Sequence, residues 1–263
     1  RVAAQNLADI DAMGGRPSGL VASVVAPRDM DAEVFLDVVR GLGERAREVG
    51  AGVVGGDLSA GEKLVISITA FGYCPGPIVR RDGAQPGDVI AVSGTLGFSY
   101  AGLDLLEGGY VDPSARGSEE LGDLAPFIDT YRAPHPPLGS GVAAAAAGAT
   151  AMMDLSDGPA ADARRMAQAS GLVIEFDRPA LEAEARLLQV PAQVCQADPV
   201  WWVLQGGEEH GMLAAFPPNA VLPEGFRVVG RTRACRDGET PAAMLGEEVL
   251  RGAWDHFDPE SVH

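Results

Sequence analysis

Apolar positions recur along this chain in two rhythms, one near 3.6 residues and one in short alternating or unbroken runs. Ala3, Leu7, Ile10 and Met13 fall at helical spacing. Gly14-Gly15 and then Pro17 end that helix near residue 13. Residues 19–25 form a β-rich run. Residues 31–49 predict an amphipathic helix whose inner side carries Val34, Phe35, Val38, Val39, Leu42, Ala46 and Val49. A very short strand at 53–54 is expected to run into a Gly55-Gly56-Asp57 turn, and residues 64–72 predict a further strand. Beyond a Pro- and Gly-rich stretch, strands are expected at 89–93, 151–155, 172–176, 212–216 and 226–233. Helices are expected from 98 to about 107, at 124–131 and 142–149, from Pro159 to about 169, and at 179–189. Helices and strands thus alternate irregularly, with glycine-rich corners, which predicts α+β layers rather than a regular βαβ winding.

The composition shift at 75–87 marks a domain boundary, giving two domains at about 1–82 and 83–263. A hydrophobic content of 46% suffices for a packed core. The formal net charge of −17 argues against a nucleic-acid or anionic-membrane partner, which would call for a basic patch. It leaves phosphate substrates open, because carboxylates hold them through bridging Mg²⁺. Cys74, Cys195 and Cys235 are widely spaced and odd in number, so no disulfide framework follows and a reducing cytoplasm is the simplest setting. The four histidines show no ligand spacing. The weakly polar run at 141–153 is too short to span a bilayer, and no signal peptide is visible. The chain opens on Arg1 in mid-helix rather than on Met, so a preceding segment is expected.

The chemistry concentrates where strands run into turns. Asp154 closes the apolar run at 151–155, and Ser156-Asp157-Gly158 is a turn before a helix with Pro159 at its first position. Two carboxylates and a hydroxyl at a strand-to-helix junction suit Mg²⁺ and phosphate. The plain alternative is that Asp157 caps the helix, but Pro159 makes Gly158 the cap, and capping leaves Asp154 unexplained. Asp9 lies at the edge of the first helix's apolar stripe. Gly56 and Asp57 combine a close backbone approach with an acid. Arg81 is a candidate phosphate fork in an otherwise acidic chain. Glu208 and Glu209 follow the paired glycines Gly206-Gly207, and Trp254 lies in an aromatic stretch near the end. Each has an ordinary reading too: a solvated acid, a Gly-Gly turn, a linker charge, or a Trp anchoring the tail.

Taken in order, these pieces resemble the thiamine-monophosphate kinase family, of the superfamily that also holds aminoimidazole ribonucleotide synthetase. Asn6-Leu-Ala-Asp9-Ile-Asp-Ala-Met-Gly14 resembles the family's Asn-Leu-Ser-Asp helix, and Gly55-Gly56-Asp57 its Gly-Gly-Asp turn. Arg81 to Asp88, Ser93 to Gly97, Asp154-Leu-Ser-Asp-Gly158 and Trp254-Asp-His-Phe257 are similar to further family motifs in the same order. The resemblance implies two aminoimidazole ribonucleotide synthetase-like domains and transfer of the γ-phosphoryl group of ATP to thiamine monophosphate, giving thiamine diphosphate. It implies that Asp9, Asp57, Asp154 and Asp157 hold Mg²⁺, that Gly56, Arg81 and Ser156 contact ATP, and that Glu208 and Trp254 contact thiamine phosphate. A homodimer formed through the N-terminal domains is implied as well.

The sequence departs from the family pattern in three places. Its N-terminal Gly-Asp-Asp-Ala and Val-Glu-Gly-Val-His-Phe stretches are absent from this sequence. Gly206-Gly-Glu-Glu-His-Gly-Met212 stands where the family has Gly-Gly-Glu-Asp-Tyr-Glu-Leu, and Pro159 replaces a Leu. Two other readings stay open on the sequence alone: a superfamily enzyme with a different acceptor, and a non-catalytic homologue that binds nucleotide or thiamine phosphate.

Overall fold

Helix α1 (Val2–Asp11) places Ala3 and Leu7 against one hydrophobic cluster and Ala12, just past its end, against another. The computed structural model describes residues 1–252. The first cluster lies on a three-stranded sheet of β1 (Arg16–Ala26), β2 (Gly52–Ala60) and β3 (Val65–Tyr73), with β1 central. β1 runs parallel to β2 and antiparallel to β3. Helix α2 (Ala32–Glu48) supplies the crossover that a parallel pair requires. Asp31 caps it by accepting the Glu33 N–H at 2.8 Å.

Two expectations are corrected here. Gly55-Gly56-Asp57 is not a turn but the middle of β2, paired with Val21, Ala22 and Ser23 of β1. The glycines read as a break, yet Gly56 is what the pairing needs: a Cβ there would lie 1.9 Å from the Ala22 carbonyl oxygen. The predicted inner side of α2 is also only partly covered. Leu42 and Ala46 are buried, whereas Val34 and Val39 are 53% and 44% exposed. The three-stranded sheet is too narrow to cover the whole stripe.

The remaining strands form one seven-stranded sheet in the order β10-β9-β6-β8-β4-β7-β5. They are β4 (Val89–Ser93), β5 (Ala151–Leu155), β6 (Leu172–Phe176), β7 (Gly211–Phe216), β8 (Arg227–Ala234), β9 (Ala242–Leu245) and β10 (Glu248–Val249). All neighbours are antiparallel except β6 and β9. The two-residue side-chain period divides each strand between two cores. Leu213 and Ala215 of β7 join the larger one, while Met212, Ala214 and Phe216 face the smaller. The larger core is roofed by α3 (Phe98–Glu107), α4 (Gly117–Leu121) and α5 (Ala125–Arg132). Helix α6 (Ser140–Ala146) lies on the smaller core. Helices α7 (Pro159–Ser170), α8 (Arg178–Ala185), α9 (Gln189–Cys195) and α10 (Pro199–Gln205) complete the larger one.

Several bounds match the sequence pattern, notably β4, β5 and β6. The expected 179–189 helix instead ends at Ala185, passes through a 3₁₀ turn at Arg186–Leu188 and resumes as α9. Helix α10 carries a start signal that the periodicity did not expose, Asp198 as cap and Pro199 in the first turn. The short α4 and the pair β9 and β10 have no counterpart in the sequence reading. Among the described residues no helix is long and apolar enough to cross a membrane.

Candidate active site

The junction of β5 and α7 forms as its local signals dictate. β5 is an edge strand, so the polar residue near its end escapes full burial. Met152 and Asp154 share one face, the face on which α1 is packed. Gly158 is the N-cap of α7 and Pro159 its first residue; Gly171, at φ 69°, ends it. Asp157 is therefore free of the capping role.

A cleft of about 640 Å³ opens between α1, the 79–82 loop and β5. Asp9, Arg81 and Asp154 line it together with Met13, Asp82 and Met153. Burial raises the Asp9 pKa above its ordinary value, and the nearby Asp154 charge adds to the rise; His210 opposes it. Two carboxylates brought together this way attract a cation. Nδ1 of the buried His210 lies 3.2 Å from Oδ2 of Asp154.

The Ser156-Asp157 turn is interlocked with the Gly206–His210 stretch. Glu208 N–H donates to the Ser156 carbonyl at 2.9 Å. Gly207 passes so close that a Cβ would sit 2.2 Å from the same oxygen. Gly207→Ala should push the two segments apart and cost about 1–3 kcal/mol, as overpacking does; chemical denaturation checks this, and an unchanged midpoint would contradict the close approach. Glu208 is exposed and paired with Arg1 at 2.5 Å. Asp157 is paired with Arg165 at 2.5 Å.

Gly56 and Asp57 line a separate groove of about 570 Å³ between α2 and β2, beside Phe35, Leu42 and Arg47. The structure thus gathers Asp9, Arg81 and Asp154, sets Ser156, Asp157 and Glu208 on the adjoining turn, and keeps Gly56 and Asp57 in another groove. Trp254 lies outside the described residues. Among the described residues no three His, Cys, Asp or Glu side chains are grouped closely enough to hold a metal by themselves. Mg²⁺ does not require such a cage, since it is bound through one or two carboxylates plus substrate phosphates. The donors are of the right kind, hard carboxylate oxygens, and Asp9 has no ion-pair partner among the described residues.

Three residues that the sequence reading left without a role act here. Glu209 is buried and accepts the Ser99 N–H at 2.7 Å, satisfying the first turn of α3. Burial outweighs those backbone N–H groups and pushes its pKa up to about 8. Asp162 is fully buried and accepts the Asp157 N–H at 3.0 Å. Arg165 reaches both Asp157 and Asp162 at 2.5 Å. The available signal was an acid lying four residues before the buried Met166, inside the apolar stripe of α7.

Comparison with known proteins adds three findings. The model AIR synthase related protein, N-terminal domain, matches residues 1–74. The chain is 41% identical over 256 residues to thiamine-monophosphate kinase of Mycobacterium tuberculosis, covering 97% of this chain and 72% of that protein. Its fold superposes with a TM-score of 0.80 on thiamine monophosphate kinase from Aquifex aeolicus, at 27% identity, covering 94% of this chain and 79% of the other. A structure of AaThiL complexed with AMPPCP and TMP superposes equally well, with a TM-score of 0.80, 28% identity, and coverage of 96% and 78%.

Proposed function

The chain belongs to the thiamine-monophosphate kinase family, and from that premise we propose that it transfers the γ-phosphoryl group of ATP to thiamine monophosphate, forming thiamine diphosphate. One structural observation carries the reading: the cleft where Asp9 and Asp154 converge beside Arg81, with Ser156 and Asp157 on the adjoining turn. It is supported by the AMPPCP and TMP bound in the AaThiL structure.

In this reading Asp9, Asp154 and Asp157 would hold Mg²⁺, whose chemistry is to neutralise the phosphates that must approach one another, while Asp57, in the groove between α2 and β2, lies outside that cluster. The guanidinium of Arg81 and the Ser156 hydroxyl orient the nucleotide, and Glu208 contacts the thiamine monophosphate. The acceptor phosphate oxygen is already ionised, so no side chain has to act as a strong base. The protein's own task is in-line positioning, and transfer is direct, without a phosphoenzyme.

The division at about residue 82 belongs to the same reading, supported by the separate three-stranded and seven-stranded sheets and by the domain match ending at residue 74. So does a homodimer through the N-terminal sheet, where Val54 and Leu58 of β2 stand 66% and 61% exposed. A cytoplasmic setting accords with three free cysteines and an ATP-dependent reaction.

The test is ADP release by the full-length protein with Mg²⁺, with and without thiamine monophosphate. Strong stimulation with thiamine diphosphate as product is expected; nucleotide binding without stimulation would favour a binding-only homologue or another acceptor. Within this reading Trp254→Ala should raise the Kd for thiamine monophosphate about tenfold, the loss of one stacking contact, and leave ATP affinity nearly unchanged. Calorimetric titration of each ligand decides it, and an unaltered thiamine monophosphate affinity would return Trp254 to a structural role.

A further inference from the structure

Asp157 has a cationic partner in this structure. Nη1 of Arg165 lies 2.5 Å from its Oδ2 and 2.5 Å from Oδ1 of Asp162. The two carboxylates differ in their surroundings. Asp162 has no exposed side-chain surface and is fixed further by the Asp157 N–H. Asp157 is a quarter exposed on the turn, and Arg165 is about one-third exposed at the end of a long, flexible side chain. The guanidinium thus has one buried anchor inside α7 and one partly exposed partner on the turn that follows Asp154.

That asymmetry has a chemical consequence. A carboxylate paired with a guanidinium offers the same oxygen lone pairs that a divalent ion would use, so the two cations compete. A partly exposed ion pair is weak enough to exchange. The guanidinium also lies between the two carboxylates and offsets their mutual repulsion. We propose that Arg165 is the resident counter-ion of Asp157, holding its carboxylate in the unliganded protein and yielding it when Mg²⁺ arrives with nucleotide. Arg165 is a positioning residue in this scheme. Asp162 holds the guanidinium near the site after the exchange, where its planar fork suits phosphate oxygens. The assignment rests on the kinase reading, because that reading supplies the competing cation.

The experiment is titration of the nucleotide-free, full-length protein with Mn²⁺ as a paramagnetic stand-in for Mg²⁺, followed by electron paramagnetic resonance. Arg165→Gln should tighten Mn²⁺ binding about fivefold, the effect of removing a competing surface ion pair. Arg165→Lys, which keeps the charge, should remain near wild type. Unchanged or weaker Mn²⁺ binding by a cooperatively folding Arg165→Gln protein overturns the proposal and makes the pair purely structural. Wild-type protein supplies a second readout should the variant fail to fold. The Arg165 Nε–H nuclear magnetic resonance signal should shift when Mg²⁺ and AMPPCP are added together, and a stationary signal at saturation overturns the proposal equally. Failure of the kinase reading is separable: it appears as wild-type protein that releases no ADP in response to thiamine monophosphate, whatever the Mn²⁺ titrations give.

Discussion

Asp154→Asn should lower Mg²⁺-dependent turnover about a thousandfold or more while the protein stays folded, since it removes a carboxylate that would hold the Mg²⁺ neutralising the phosphates, and losing that charge stabilisation costs several kcal/mol. The substitution is nearly isosteric. β5 is held by its backbone ladder to β7 and by the burial of Ala151, Met152 and Leu155, both of which the substitution leaves in place. The amide oxygen can still accept a hydrogen bond from His210. What disappears is one negative charge in the cleft, and with it one of the two causes that raise the Asp9 pKa. The variant should therefore combine a wild-type melting curve with a lower Asp9 pKa and a lost dependence on Mg²⁺. Wild-type turnover in Asp154→Asn would remove this carboxylate from the reaction.

The second large effect falls on stability. Glu209→Ala should cost about 3 kcal/mol, because it leaves buried N–H groups of α3 without an acceptor and opens a small cavity. The pH dependence has a definite sign. The Glu209 pKa stands near 8 in the folded protein against 4.5 as its ordinary value. A carboxyl whose pKa is raised by folding contributes fully below about pH 4.5, and that contribution is lost as pH rises through about 8. Wild-type stability should accordingly decline over this window, and Glu209→Gln should decline less. Urea denaturation at pH 5, 6.5 and 8 measures both; equal slopes for wild type and Glu209→Gln would mean that Glu209 is not the source. Asp162, pushed up to about 7 by burial, acts in the same direction and remains in both proteins.

The unequal legibility of the site has physical causes. The β5–α7 junction could be read residue by residue because its determinants are local: an apolar run, a turn triplet and a proline in the first helical turn. Asp57 was misread because the two glycines before it signal a turn in any local window. What makes them strand residues is β1, more than thirty positions away, whose Ala22 carbonyl leaves no room for a side chain. The convergence of Asp9 with Asp154 was open to residue-level reasoning only as two separate acids, since their meeting depends on how α1 docks across the large sheet. Glu209 read as one acid of a charged pair; its burial is set by the first turn of α3, over a hundred residues earlier. The partner of Asp157 was missed for the opposite reason. Arg165 is near in sequence, but a charge on a helix is ordinarily solvent-facing, and only the full burial of Asp162 turns it inward.

Helix α1 has its first two turns in one core and its end against the other, with Asp9 between. The helix behaves as a beam seated at both ends. Its tilt is set jointly by two packings that, among the described residues, share no other helix, so a methylene gained or lost at Leu20 or at Met152 would turn the same beam and displace the same carboxylate. Substitutions remote from the cleft, in either core, would then alter the spacing of Asp9 and Asp154 and be felt first in the reaction and only later in the melting temperature.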